Sequence, residues 1–439
     1  MRSHAWPRHA LVPSSSPTPA RLGTLALTGA LTLGHTPDAE ACGGMLFPDH
    51  EQRVGGMSDQ EIFVAFGNDE TVLVASAGYQ GVSAADFAFL LPLASSPADV
   101  RDADPALFIA LDEHAAPRIS IYLDDGDEPS GGCGALAGKS LNDAPGGFGN
   151  DGDEVMVHQR GQTATYEYVV IGGDTGSAVA DWLTAEGYVL PTDYAAALDP
   201  YVSDGWFFFA AKVLPDATNG ALAPIELHLP PAAPEAFEIP LAIAAHSLAP
   251  DEPLGITTYL WADGPLLPDG YTAEPIDGSE LVATSDSESN YAELERAVLD
   301  GDPQGAWIID ASRSTSADEI EYSYQSAVEA GRVDPGTSDV AFVSDFFDRL
   351  GGRSGHLTRV RTELRADQLR DMPLRRSAGT QVNNRHAATF HDDAAEDDSG
   401  CAVARTRHWP GPLLLLLPVL AALRPRRRTY WRGTTHSPR

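Results

Sequence analysis

Residues 61–79 read EIFVAFGNDETVLVASAGY. Two runs rich in Val, Ile, Phe and Ala flank Gly67-Asn68-Asp69, which is how short strands separated by turn residues look. Working outward, DFAFLLPL (86–93), EVMVHQRG (154–161), TATYEYVVIGG (163–173), GWFFFAAKVL (205–214), APIELHLP (223–230), FEIPLAIAAHS (237–247) and GITTYLWA (255–262) carry the same signature. In GWFFFAAKVL no polar alternation interrupts Trp206 to Phe209. A strand with that pattern is expected to be buried on both faces rather than to form a ligand platform.

Helical spacing appears between these runs. In DPALFIALDEHAA (104–116), Asp104 precedes Pro105 as an N-cap, and Leu107, Ala110, Leu111 and His114 fall on one face,. SAVADWLTAEGY (177–188) predicts a helix burying Val179, Trp182 and Leu183. Further helices are predicted in DYAAALDPYV (193–202), NYAELERAVLD (290–300) and DVAFVSDFFDRL (339–350). Strands occur in runs with occasional helices and do not alternate strictly, so the expected fold class is α+β, a mainly antiparallel sheet with several packed helices.

The chain has 439 residues and a formal net charge of -34, and its termini are basic, so the middle is more acidic still. Such a body repels a phosphate backbone, and nucleic acid is excluded as an expected partner. At the N-terminus, Arg2, Arg8 and Arg21 precede LGTLALTGALTLG and the small-x-small site Ala39-Glu40-Ala41. Residues 1–41 therefore read as a signal peptide cut before Cys42. Residues 42–372 form the expected body, for which one domain or two lobes both fit, with a mobile acidic glycine-rich loop at 124–154. Residues 373–400 are expected to be a disordered stalk.

The end of the chain, SGCAVARTRHWPGPLLLLLPVLAALRPRRR, has a lone Cys401, an apolar run broken by Pro418 and an arginine cluster. Trp409 to Leu423 falls short of the roughly 20 residues of an untilted span, and the arginines would keep its C-terminal end on the cytoplasmic side. These three ordered parts resemble the MYXO-CTERM type of C-terminal sorting tail, although TYWRGTTHSPR extends past the arginine cluster. The resemblance implies a myxosortase-type protease as a partner, display at the cell surface, contact with the membrane through the tail or a lipid, and Cys401 as the sorting and lipid-attachment residue. A plain single-span anchor is the alternative. With Cys401 assigned to the tail, Cys42 and Cys133 are expected to form a disulfide in an oxidising compartment. Lipidation of Cys42, which leaves Cys133 free, is the competing reading.

The body itself resembles the domain-of-unknown-function 2330 family of exported bacterial proteins. The resemblance is carried by ACGGMLFP (41–48), ADFAFLLPLAS (85–95), ADWLTAEGYVLP (180–191), YVSDGWFFFAAKVL (201–214), LAPIELHLP (222–230), NYAELERAV (290–298) and LTRVRTELRADQL (357–369). It implies export and a shared β-rich fold, and brings no catalytic residues.

Chemistry is sparse. Asp174-Thr175-Gly176-Ser177 matches the aspartic-protease tetrapeptide, but that mechanism needs two carboxylates sharing a proton and no second copy exists,. Asp174 or Thr175 reads more simply as a helix N-cap. The acidic loop offers weak calcium candidates in Asp124, Asp125, Asp127, Asp151 and Asp153, without the spacing of an EF-hand,. No other cofactor is expected, and His50, His158, His228, His246 and His356 lack zinc-site pairing,. The expected function is an exported, surface-anchored, non-enzymatic binding or structural module of the envelope. The alternative is a secreted hydrolase whose site assembles from distant residues.

Overall fold

A computed structural model describes residues 44–46, 57–79, 88–123, 155–214, 223–248 and 253–390, apart from positions 189, 192, 193, 286, 335, 337, 338 and 380. The signal peptide, Cys42, the loop at 124–154 with Cys133 and all five calcium candidates, and residues 391–439 with Cys401 lie outside these residues.

The elements run β1 (Gly44–Leu46), β2 (Met57–Phe66), β3 (Thr71–Tyr79), β4 (Ala88–Leu93), β5 (Asp99–Asp102), α1 (Ala106–Ala115) and β6 (Arg118–Leu123). Next come β7 (Met156–Gln162), β8 (Tyr166–Gly172), α2 (Gly176–Ala185), α3 (Tyr194–Ser203), β9 (Phe207–Val213), β10 (Ile225–Leu229) and β11 (Glu238–Ile239). After β12 (Leu254–Ala262), β13 (Leu266–Pro268) and β14 (Thr272–Glu274), the chain forms α4 (Tyr291–Leu299), β15 (Ala306–Ser316), α5 (Ala317–Glu329) and α6 (Val340–Arg349). It closes with β16 (Ser354–Leu364), β17 (Met372–Arg376) and β18 (Arg385–Phe390).

An eight-stranded sheet in the order β14-β15-β16-β12-β2-β3-β10-β5 packs on a five-stranded sheet, β1-β4-β9-β8-β7. Pairing is antiparallel except at β2/β12 and β14/β15 in the large sheet and at β6/β18. The class is α+β with mainly antiparallel sheet, as the sequence predicts.

Strand periodicity explains the layers, because successive side chains point to opposite faces. Ile62 and Val64 face the five-stranded sheet, where they join Phe89, Leu91, Val170 and Phe209 in one core. Phe63 and Ala65 point the other way, into a second core with Leu107 of α1, Ile320 of α5 and Phe346 and Phe347 of α6. The outer face of the five-stranded sheet buries Val169, Ile171 and Phe208 against Val179 and Leu183 of α2 and Leu198 of α3. The result is four layers: helices, sheet, sheet, helices. Both sheets are covered on both sides, which is why Ile62 to Phe66 of β2 and Phe207 to Ala211 of β9 read as unbroken apolar runs; Phe208 to Ala211 are all buried.

Two expectations need correction. FEIPLAIAAHS is no strand beyond Glu238–Ile239. Pro240 removes a donor from the ladder, and the chain turns into a 3-10 segment, Ala242–Ser247, whose Ala242 N–H donates to the Asp371 carboxylate at 2.8 Å. Residues 373–400 are not a stalk from their start, because Pro373–Arg376 belong to β17 and Arg385–Phe390 form β18. β17 buries Leu374 and pairs with both β11 and β13, while β18 buries only Ala388 and pairs with β6. A peripheral strand with one buried side chain has the composition of a linker. Of the two residues expected to cap α2, Thr175 is the one that does so, accepting the Ala178 N–H at 3.1 Å, while Asp174 is exposed.

Thr175 and Gly176 of the tetrapeptide thus have structural roles. A Cβ at Gly176 would lie 2.2 Å from the Ala195 carbonyl oxygen, and the Gly176 N–H donates to Asp199 of α3 at 2.8 Å. Only glycine allows α2 and α3 to approach this closely.

Candidate functional site

The polar groups that fold together come from distant parts of the sequence. At the C-terminal end of α1, beside α5, the start of β18 and the end of β15, lies a cleft of about 410 Å³ whose walls include Glu113, His114, Arg313, Tyr322, Arg332 and Arg385. α5 starts here because Ser316 and Glu319 form a reciprocal capping box,. Glu319 also accepts from the Thr315 hydroxyl at 2.5 Å.

His114 is 6% exposed and pins this corner. Its Nε2 accepts from Arg313 Nη2 at 2.8 Å, so Nδ1 carries the proton and donates to Ser323 Oγ at 3.0 Å; Ser323 in turn donates to the Glu319 carbonyl at 2.9 Å. The Asn384 amide donates to the His114 and Ala116 carbonyls, tying β18 to the end of α1. Burial, with the Arg313 charge second, pushes His114 down to about 4. Glu113 is clamped by two arginines, Arg118 at 2.9 Å and Arg332 in a two-pronged contact at 2.9 and 3.1 Å. Both guanidiniums hold its carboxyl below the ordinary range, outweighing burial, which is the largest single influence and acts upward.

The His114 shift has a consequence for stability. The folded protein holds a neutral imidazole down to about pH 4, whereas the unfolded chain protonates near pH 6.5. The contribution is therefore complete above pH 6.5 and is lost as pH falls toward 4, amounting to about 3 kcal/mol. Urea unfolding of His114→Gln at pH 7 and pH 4 should show a flatter loss than the parent chain by about that amount; equal losses in both proteins would contradict the assignment.

Two further polar clusters are structural. Asp310 is the extra residue of a bulge in β15, where pairing with β16 slips between Ile309 and Ala311,. Its fully buried carboxylate meets Arg359 and also Arg361, whose Nε lies at 2.9 Å. Arg359 continues to Asp112 of α1 at 2.8 Å, and Arg361 to Glu295 of α4. Burial pushes the Asp310 carboxyl up to about 7 against the pull of Arg359. On β10, His228 lies between Glu226 and Glu70, each at 2.8 Å, and its pKa is raised, chiefly by the Glu226 hydrogen bond. The two carboxylates sit on opposite ring nitrogens and cannot share an ion with the imidazole. Among the described residues no three His, Cys, Asp or Glu side chains gather as a metal site, and no helix is long and apolar enough to cross a membrane.

Of the histidines read from the sequence, His228 and His356 are buried in such structural contacts; His356 Nε2 lies 2.9 Å from the Ser312 hydroxyl. Sequence reasoning missed His114 and the arginines around it. The one legible sign was Ser316-Ala-Asp-Glu319, a capping-box pattern that announces α5,.

Residues 36–273 match a family model described as an uncharacterized protein conserved in bacteria, domain of unknown function 2330. The chain belongs to this family. The matched region holds the α1 side of the cleft, with Glu113, His114 and Arg118, while Arg313, α5 and β18 lie beyond it. No curated protein matches the chain. Among solved structures, a mutated baculovirus P35 after caspase cleavage is similar at 10% identity, over 53% of this chain and 75% of that one, with a TM-score of 0.25. The caspase-8/P35 complex is similar at 8% identity, over 72% and 96%, with a TM-score of 0.29. At those scores neither likeness bears on the fold or function of this member of the family.

Proposed function

We propose that this protein is a non-catalytic binding module of the bacterial envelope, exported by its N-terminal segment, processed at Cys401 and displayed on the cell surface, with the cleft beside α1 and α5 as its binding face. The address is supported by the leader-like residues 1–41 and by the ordered cysteine, apolar run and arginine cluster at the C-terminus. The binding role rests on one observation: the cleft's acid-base groups are engaged with one another. Both nitrogens of His114 are hydrogen-bonded and Glu113 is held by two guanidiniums. A general base needs a lone pair free for the substrate's proton, and here the lone pair on Nε2 faces Arg313. Groups held this way make a rigid recognition surface.

An antibody against the body should label intact, unpermeabilised cells, and the mature chain should end at or next to Cys401 by mass. Labelling confined to lysed cells would overturn display. Mature chains ending at Arg439 would overturn processing.

A further inference from the structure

Four arginines line the cleft, Arg118, Arg313, Arg332 and Arg385, against the carboxylates of Glu113, Asp318 and Glu319. The carboxylates are already committed. Glu113 pairs with Arg118 and Arg332, Asp318 with Arg353 outside the cleft, and Glu319 accepts from Thr315 and the Ser316 N–H. Neither Arg313 nor Arg385 has a carboxylate in ion-pair reach among the described residues. Arg313 Nε is buried without a hydrogen-bond partner. Burial holds the Arg313 guanidinium below its ordinary value; the Glu319 carboxylate pulls the other way without making an ion pair, and the nearby Arg385 charge adds a smaller downward push. Two under-neutralised guanidiniums side by side, on a chain this acidic, are a local excess of donors and positive charge that an anion would relieve.

Building on the binding-module reading, we infer that the cleft holds a small organic molecule by its phosphate group, seated on Arg313 and Arg385 with Arg118 alongside. Arg118 and Arg385 are register partners across the β6/β18 pair, and Arg313 comes from β15. Guanidiniums from three strands match the three terminal oxygens of a phosphate monoester, which also carries more negative charge than a carboxylate. The volume of about 410 Å³ is that of a site for a whole small molecule and far exceeds what the anionic group alone fills,. Tyr322, 70% exposed at the cleft, offers a ring face to the organic portion,.

The test is calorimetric titration of the full chain with phenyl phosphate, inorganic phosphate and benzoate, repeated at raised salt and with Arg385→Gln. Arg385 is exposed on a peripheral strand, so this variant keeps the fold even where Arg313→Met, which removes a partner of His114, does not. Phenyl phosphate should bind more tightly than either comparison anion, weaken with salt and lose about tenfold or more in affinity in Arg385→Gln. Inorganic phosphate binding as tightly as phenyl phosphate would overturn the organic ligand, and benzoate binding as tightly would overturn the phosphate. Absence of binding by all three, or an unchanged Arg385→Gln, would overturn the site while leaving display to the intact-cell labelling. Release of phenol would support the site and overturn the non-catalytic reading.

Discussion

Arg359→Met is expected to lower the unfolding free energy by about 3–5 kcal/mol, because it takes one of its two cations from a buried carboxylate. Asp310 has a side chain that is 0% exposed, and Arg359, at 9%, is one of the two cations that meet it. Ionising a carboxyl in such a place is costly, and burial accordingly pushes Asp310 up to about 7 even with Arg359 present,. The variant also removes the contact from β16 to Asp112, and with it a tie between the large sheet and α1. Arg361 remains within 2.9 Å of Asp310, so the protein should still fold. A double variant, Asp310→Asn with Arg359→Met, should recover part of the loss, since it removes the buried charge together with one of its partners. Urea unfolding measures both, and a single-variant loss below about 1 kcal/mol, the range of an exposed pair, would show that the network is not buried as described.

Phe63→Ala should cost about 3–5 kcal/mol by removing the ring around which the helix layer packs. Phe63 is 0% exposed, and its centroid lies 5.5 Å from Phe346 and 6.2 Å from Phe347 of α6. Those rings continue to Trp261 of β12, 4.8 Å from Phe347, so the cavity would open between β2, β12 and α6. Tyr322→Ala, at an exposed position on α5, should change stability by no more than about 0.5 kcal/mol. Thermal unfolding of the two variants would contradict the layered packing if their losses were equal.

The legible parts of the fold were those whose burial is two-sided or strongly periodic. EIFVAFG and GWFFFAAKVL announce buried strands because Ile62 to Phe66 and Trp206 to Ala211 are apolar at every position, and α1 and α6 announce themselves by their spacing. α5 was missed because Ile320, Tyr324 and Ala327 are the only apolar positions it buries beyond its first turn, among charged and polar neighbours. β15 was missed for a related reason: AWIIDASRSTS passes from a buried half into a polar half that carries Asp310 and Arg313. β17 and β18 look like linker because their stabilisation comes from ladder pairing at the periphery, which leaves little trace in composition. Of the cleft, only the capping-box pattern at the start of α5 was legible. Arg313 meets His114 across 199 positions and Arg332 meets Glu113 across 219, separations that no motif spacing encodes.

If a surface-displayed module recognises its ligand through the arginine cleft, a photo-crosslinking benzophenone residue at position 322 of the full chain should capture that ligand when intact cells are irradiated. The expected result is an adduct formed outside the cell, suppressed by added phenyl phosphate and lost when Arg385→Gln is introduced alongside. No adduct, or one indifferent to both the competitor and the Arg385 substitution, would contradict it.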